Sequence, residues 1–145
     1  MVSDKEHVEE MKKLQADQRQ KRLDSKKLDR GLVLVHTGNG KGKSSSAFGV
    51  ITRALGWGHK VGLVQYIKGT WKTGERNFFK QFEDSITWHT MGEGFTWDTQ
   101  DRNRDIEAAK AAMQVSAEML RSGDFDLVVL DEINIVLRYD YLDVQ

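Results

Sequence analysis

The chain contains no cysteine in 145 residues, which excludes disulfides and thiolate-held metals and is compatible with a reducing compartment. Proline is absent too, against an average usage of about 5%, and no functional class follows from that. No apolar run approaches the roughly 20 residues of a membrane span, and the polar N-terminus lacks the apolar core of a secretory signal. A cytoplasmic location without membrane contact is therefore expected. Net charge is zero, with +2 on residues 1–30 balanced by −2 on the remainder. Neither part is basic enough to argue for nucleic acid, and no basic, aromatic strand face offers itself to single strands. His7, His36, His59 and His89 have no zinc spacing and read as ordinary strand, turn and surface residues.

What is present centres on residues 31–46, GLVLVHTGNGKGKSSS. Leu32-Val33-Leu34-Val35 is an apolar run with two β-branched residues, which predicts a strand buried on both faces. It leads into Gly38-Asn39-Gly40-Lys41-Gly42-Lys43-Ser44-Ser45, after which Ala47, Phe48, Ile51, Ala54 and Leu55 share one helical face. Strand, glycine loop, Lys-Ser and helix are the layout of a phosphate-binding P-loop. Glycines let successive N–H groups turn inward on an anion, and the helix adds its free N–H groups and positive dipole end. Lys43 contributes a mobile charge, and the Ser44 hydroxyl suits the magnesium that accompanies a nucleotide. In the usual G-x-x-x-x-G-K-[ST] pattern the first glycine would fall at Thr37. Here it comes one residue later, at Gly38, so the loop is a tightened variant.

Residues 1–30 are dense in charges of both signs and poor in apolar residues, which predicts a solvated helix or a disordered arm, or an arm that orders over a ligand or partner subunit. Residues 31–145 then form one α/β domain. Its further predicted strands are 61–67, 86–90 and 127–130, with helices over 75–82 and 101–121 and the start of another at 133. In the long helix Ile106, Ala109, Met113, Ala117 and Leu120 are expected to face inward. Lys68 follows the 61–67 strand at its carboxyl end, where it is placed either to reach a phosphate or to sit in solvent. Phe95 and Trp97 lie on a glycine-flanked loop that suits a planar ligand or packs into the core. Leu127-Val128-Val129-Leu130 ends in Asp131-Glu132, the Walker B arrangement of an acidic group at a strand's end that holds the magnesium shell.

The runs TGNGKGKSS, VGLVQYIKGTWKTGERN, GFTWDTQ and VVLDE followed by YDYL resemble, in order, the P-loop class of ATP:corrinoid adenosyltransferases. The resemblance implies a P-loop (RecA-like) fold and a mostly parallel sheet. It implies transfer of the adenosyl group of ATP to Co(I) of a reduced corrinoid, with release of triphosphate. It further implies nucleotide contacts from Asn39, Lys41 and Arg53, and a magnesium partner at Glu132 beside Ser44 and Asp131. Phe95 and Trp97 would shape the corrinoid pocket, the N-terminal arm would cap the corrinoid, a flavoprotein would supply electrons, and the enzyme would be a homodimer. Members of this class continue past YDYL, and in RecA-like order a later strand separates the P-loop strand from the Walker B strand. The expectation is a sheet short of a central strand, with two unpaired edges. Two rival readings stand beside this one: a P-loop ATPase or kinase with Glu132 as base, and an inactive nucleotide-binding fragment.

Overall fold

Alternation along Val61–Gln65 (β1) sets the architecture, because Val61 and Leu63 face one side, Gly62 and Val64 the other, and all four are buried. A strand buried on both faces needs a layer on each, and it has them. The computed structural model describes residues 4–25, 30–67, 73–91 and 101–143. It divides into two units, Met1–Val35 and His36–Gln145.

In the second unit, β1 is paired in parallel on both edges, with β2 (Ile86–Thr90) on one side and β3 (Leu127–Asp131) on the other. Helix α2 (Lys43–Gly56) covers one face. Its Ile51 and Leu55 pack with Val61, Leu63, Ile86 and Phe79, the last from α3 (Gly74–Phe79), which runs on into a 3₁₀ turn at Lys80–Phe82. Helix α4 (Arg102–Ser122) covers the opposite face with Ala109, Ala112 and Met119, joined by Val136 of α5 (Ile133–Arg138) and by Tyr141. Gly62 allows α4 its close approach, since a Cβ there would lie 2.8 Å from Met119 Sδ. The buried Tyr66 hydroxyl meets Ser116 Oγ at 2.9 Å, and Ser116 in turn donates to the Ala112 carbonyl, so no polar atom of this group is left unpaired.

In the first unit, α1 (Asp4–Asp24) buries no residue and carries local pairs, including Lys21 with Asp17 at 2.8 Å. Of the charged segment over residues 1–30, Asp4–Asp24 is helical.

Two expectations are corrected. Leu32–Val35 is not a buried strand: it has no strand pairing, and its residues are 68 to 89% exposed. An extended apolar run is held in a sheet only where its N–H and C=O groups find partners. Along α4, Leu120 is 62% exposed, and the buried stripe runs instead through Ala109, Ala112, Ser116 and Met119. Met119 reaches into the space left by Gly62, and this sets the helix rotation. β3 pairs with β1 only, so its outer edge has no partner among the described residues.

Candidate functional site

Parity places the site. Counting from Leu63, which faces α2, the next residue on that side of β1 is Gln65, at the strand's carboxyl end. Its in-register partners are Thr90 on β2 and Asp131 on β3. Three polar residues therefore form a row across the carboxyl ends of the sheet, on the face that α2 covers, where open α/β sheets bind ligands.

The loop comes to the same place. Gly38 and Gly42 have φ of 124° and 99°, a region that side chains other than glycine rarely adopt, and Gly42 precedes the first turn of α2. The helix opens with Ser46 N–H donating to the Gly42 carbonyl at 2.9 Å. Lys43 folds back over the loop, its ammonium donating to the Gly38 carbonyl at 2.8 Å and to that of Gly40. An ammonium has three donors, so one remains for an incoming anion. Ser44 Oγ donates to Asp131 Oδ1 at 3.0 Å, which joins the loop to the end of β3.

Glu132 follows with φ 64°, a left-handed conformation that costs a non-glycine residue about 1–2 kcal/mol. Burial holds its carboxyl above the usual carboxylate range, the adjacent Asp131 charge adds to the effect, and Lys43 opposes it. A strained, partly desolvated acid beside a P-loop lysine has the properties of a functional carboxylate.

The donor chemistry fits magnesium. A hydroxyl and a carboxylate converge within hydrogen-bond distance at a helix N-terminus, with a second carboxylate on the next residue. All are hard oxygen donors, as Mg²⁺ requires. Among the described residues no group of three His, Cys, Asp or Glu could hold an ion alone.

Of the residues expected from sequence, the structure brings together Gly38, Gly40, Gly42, Lys43, Ser44, Asp131 and Glu132. Asn39, Lys41 and Ser45 are exposed on the loop and first helical turn. Arg53 is exposed ten residues along α2 from Lys43, about 15 Å of helical rise, and is not placed beside the loop. Phe95, Trp97 and Lys68 lie outside the described residues. Gln65 was not anticipated as a site residue. Its Nε2 donates to Asp131 Oδ2 at 3.1 Å, and its Oε1 accepts from Trp88 Nε1 at 2.9 Å. The available signal was a lone amide closing an otherwise apolar strand segment.

Residues 29–145 match the family described as ATP:corrinoid adenosyltransferase BtuR/CobO/CobP. A corrinoid adenosyltransferase of Pseudomonas aeruginosa is 60% identical over 116 residues, covering 80% of this chain and 57% of the relative. One from Sinorhizobium is 46% identical over 142 residues, covering 97% of this chain and 66% of its own length. The Salmonella typhimurium corrinoid adenosyltransferase CobA is 41% identical over 144 residues, covering 99% of this chain and 72% of its own. The chain thus spans between 57 and 72% of the length of these relatives.

Proposed function

The chain belongs to the ATP:corrinoid adenosyltransferase family, and from that premise we propose that it transfers the 5′-deoxyadenosyl group of ATP to Co(I) of a corrinoid in adenosylcobalamin biosynthesis or salvage. The electron pair of Co(I) forms the Co–C5′ bond. The C5′–O5′ bond breaks, and its electrons leave with triphosphate. The observation that carries the reading is the junction of loop and sheet, where Ser44 Oγ, next in sequence to Lys43, meets Asp131 Oδ1 at 3.0 Å.

Charge develops on the departing triphosphate, so donors fixed before reaction act on it most strongly. The N–H groups of the Gly38–Gly42 loop and the first turn of α2 bind the phosphate oxygens, and Lys43 supplies its free donor. Ser44 and Asp131, with Glu132 alongside, would hold magnesium, which when bound would neutralise part of the leaving group's charge. Asn39, Lys41, Ser45 and Arg53 are assigned to nucleotide contacts, and Phe95 and Trp97 to the corrinoid pocket. A flavoprotein electron donor, a homodimeric assembly and a cytoplasmic location complete the reading. No helix among the described residues is long and apolar enough to cross a membrane.

The raised proton affinity of Glu132 favours one rival specifically, a P-loop ATPase or kinase in which it serves as general base. Products separate the two. An anaerobic assay with chemically reduced cobalamin, ATP and Mg²⁺ is expected to yield adenosylcobalamin and triphosphate, and ADP would establish the rival. Lys43→Ala is expected to lower adenosyl transfer by about 10²-fold or more. Unchanged transfer would remove Lys43 from the site.

A further inference from the structure

The polar row at the sheet's carboxyl end has a direction. An indole N–H can only donate, so the atom that Trp88 Nε1 meets at 2.9 Å must be the amide oxygen of Gln65. Thr90 Oγ1 lies 3.5 Å from the same oxygen. With its oxygen held there, the amide must present its NH₂ group to Asp131 Oδ2. Asp131 Oδ1 is thereby left facing Ser44. A flipped amide would set an oxygen against the carboxylate and turn it away from that alignment.

The indole itself is fixed from two other elements. Its ring stacks on Phe48 of α2, with centroids 5.8 Å apart, and packs on Phe79 of α3 at 6.1 Å. The Arg76 guanidinium lies 4.6 Å from the ring centroid. Phe48 stands four residues after Ser44, on the same side of the same helix. The helix that carries the Ser44 hydroxyl and the strand row that carries the Asp131 carboxylate therefore share one aromatic anchor.

We propose that Gln65 and Trp88 are positioning residues of the magnesium-nucleotide site: Trp88 sets the orientation of the Gln65 amide, and Gln65 holds Asp131 in the rotamer that binds Mg²⁺ beside Ser44. The proposal rests on the reading of this site as a Mg·ATP site. It adds that metal affinity is controlled from β2, two strands away from the P-loop serine's acidic partner. Partners that orient a ligating carboxylate act on metal affinity more than on folding, and their loss typically weakens the metal 10- to 100-fold.

The test is a double-mutant cycle read by calorimetric titration of ATP into the full 145-residue chain at a series of Mg²⁺ concentrations. Trp88→Phe removes the indole N–H while keeping a ring for Phe48 and Phe79. Gln65→Met removes the amide while keeping side-chain length. Each is expected to raise the Mg²⁺ concentration for half-maximal ATP binding about tenfold. The double variant should rise no further than the larger single effect, and ATP binding measured without Mg²⁺ should stay within about twofold. A general packing role for Trp88 predicts the opposite pattern, with additive effects and equal losses with and without Mg²⁺. Mg²⁺-dependent binding by the unsubstituted chain that neither variant alters overturns the relay alone. No Mg²⁺-dependent binding by the unsubstituted chain overturns the nucleotide-site reading and the relay with it. If Gln65→Met does not fold, Trp88→Phe decides by its ratio of effects with and without Mg²⁺.

Discussion

Leu32-Val33-Leu34-Val35 and Val61-Gly62-Leu63-Val64 are near-identical as strings of apolar residues, yet the first is 68 to 89% exposed and the second is buried throughout. Leu127–Leu130 lies between them, half-buried along its length. The order follows the number of paired edges. β1 is paired on two edges, β3 on one, and residues 32–35 on none. Apolar composition makes a segment suitable for a sheet, but burial follows from backbone pairing, because an extended segment enters the core only when its N–H and C=O groups are satisfied there. The same comparison explains why the site's firm half is the sheet end. Asp131 and Gln65 are tied across strands by both the ladder and a side-chain hydrogen bond.

One valine from each segment tests the relation with constant chemistry. Val64→Ala, at a side chain with no exposed surface, is expected to cost about 2–3 kcal/mol in chemical denaturation, from lost transfer free energy and the cavity left behind. Val129→Ala on the singly paired strand should cost about 1 kcal/mol. Val33→Ala should change stability by less than about 0.5 kcal/mol. A Val33 effect as large as that of Val64 would mean that the run is packed in solution, and the relation would fail.

Gly62→Ala sharpens the account of β1. The added Cβ lies 2.8 Å from Met119 Sδ, a flexible side-chain atom, so α4 shifts slightly or Met119 changes rotamer, at about 1 kcal/mol. Pairing the substitution with Met119→Ala should leave less than the sum of the two single losses. Full additivity would separate Gly62 from the position of α4.

At the end of β3, Glu132 predicts a pH effect of small size. Its carboxyl binds a proton more tightly in the fold than in the unfolded chain, so the associated stability is complete below the ordinary value of 4.5 and is lost as pH rises through the raised value. Glu132→Gln is expected to raise the melting temperature modestly near neutral pH and to leave it unchanged below pH 4.5. A drop at neutral pH would show that the carboxylate is held by favourable partners instead. Smallest of all, Val33→Lys should leave the unfolding free energy within about 0.5 kcal/mol while reducing concentration-dependent light scattering, since a lone charge protects an unpaired apolar segment.

Much of the site was legible from residue types at fixed spacings. Glycines at 38 and 42 anticipated the positive φ values found there, and Lys43-Ser44 and Asp131-Glu132 anticipated the two sides of the junction. Helix limits at Asp101 and Gly123 were readable from local capping chemistry, which acts within one turn of chain. The rotation of α4 was not, because Leu120 and Met119 are equally apolar and the choice was made by the absent Cβ of Gly62 on another element. Gln65 and Trp88 escaped notice for a similar reason. A single glutamine at a strand's end has many possible partners, and only the in-register alignment of three strands selects Asp131.

The sequence by itself determined the glycine loop, the α/β succession and family membership, since these rest on local conformational preference and on ordered motifs that no folding step can rearrange. Tertiary structure alone decided which apolar runs became strands, which face of α4 turned inward, and which side chains meet the Asp131 carboxylate. Those outcomes depend on what lies across a strand edge or a helix face, and the residues that meet there stand some 20 to 90 positions apart in the chain.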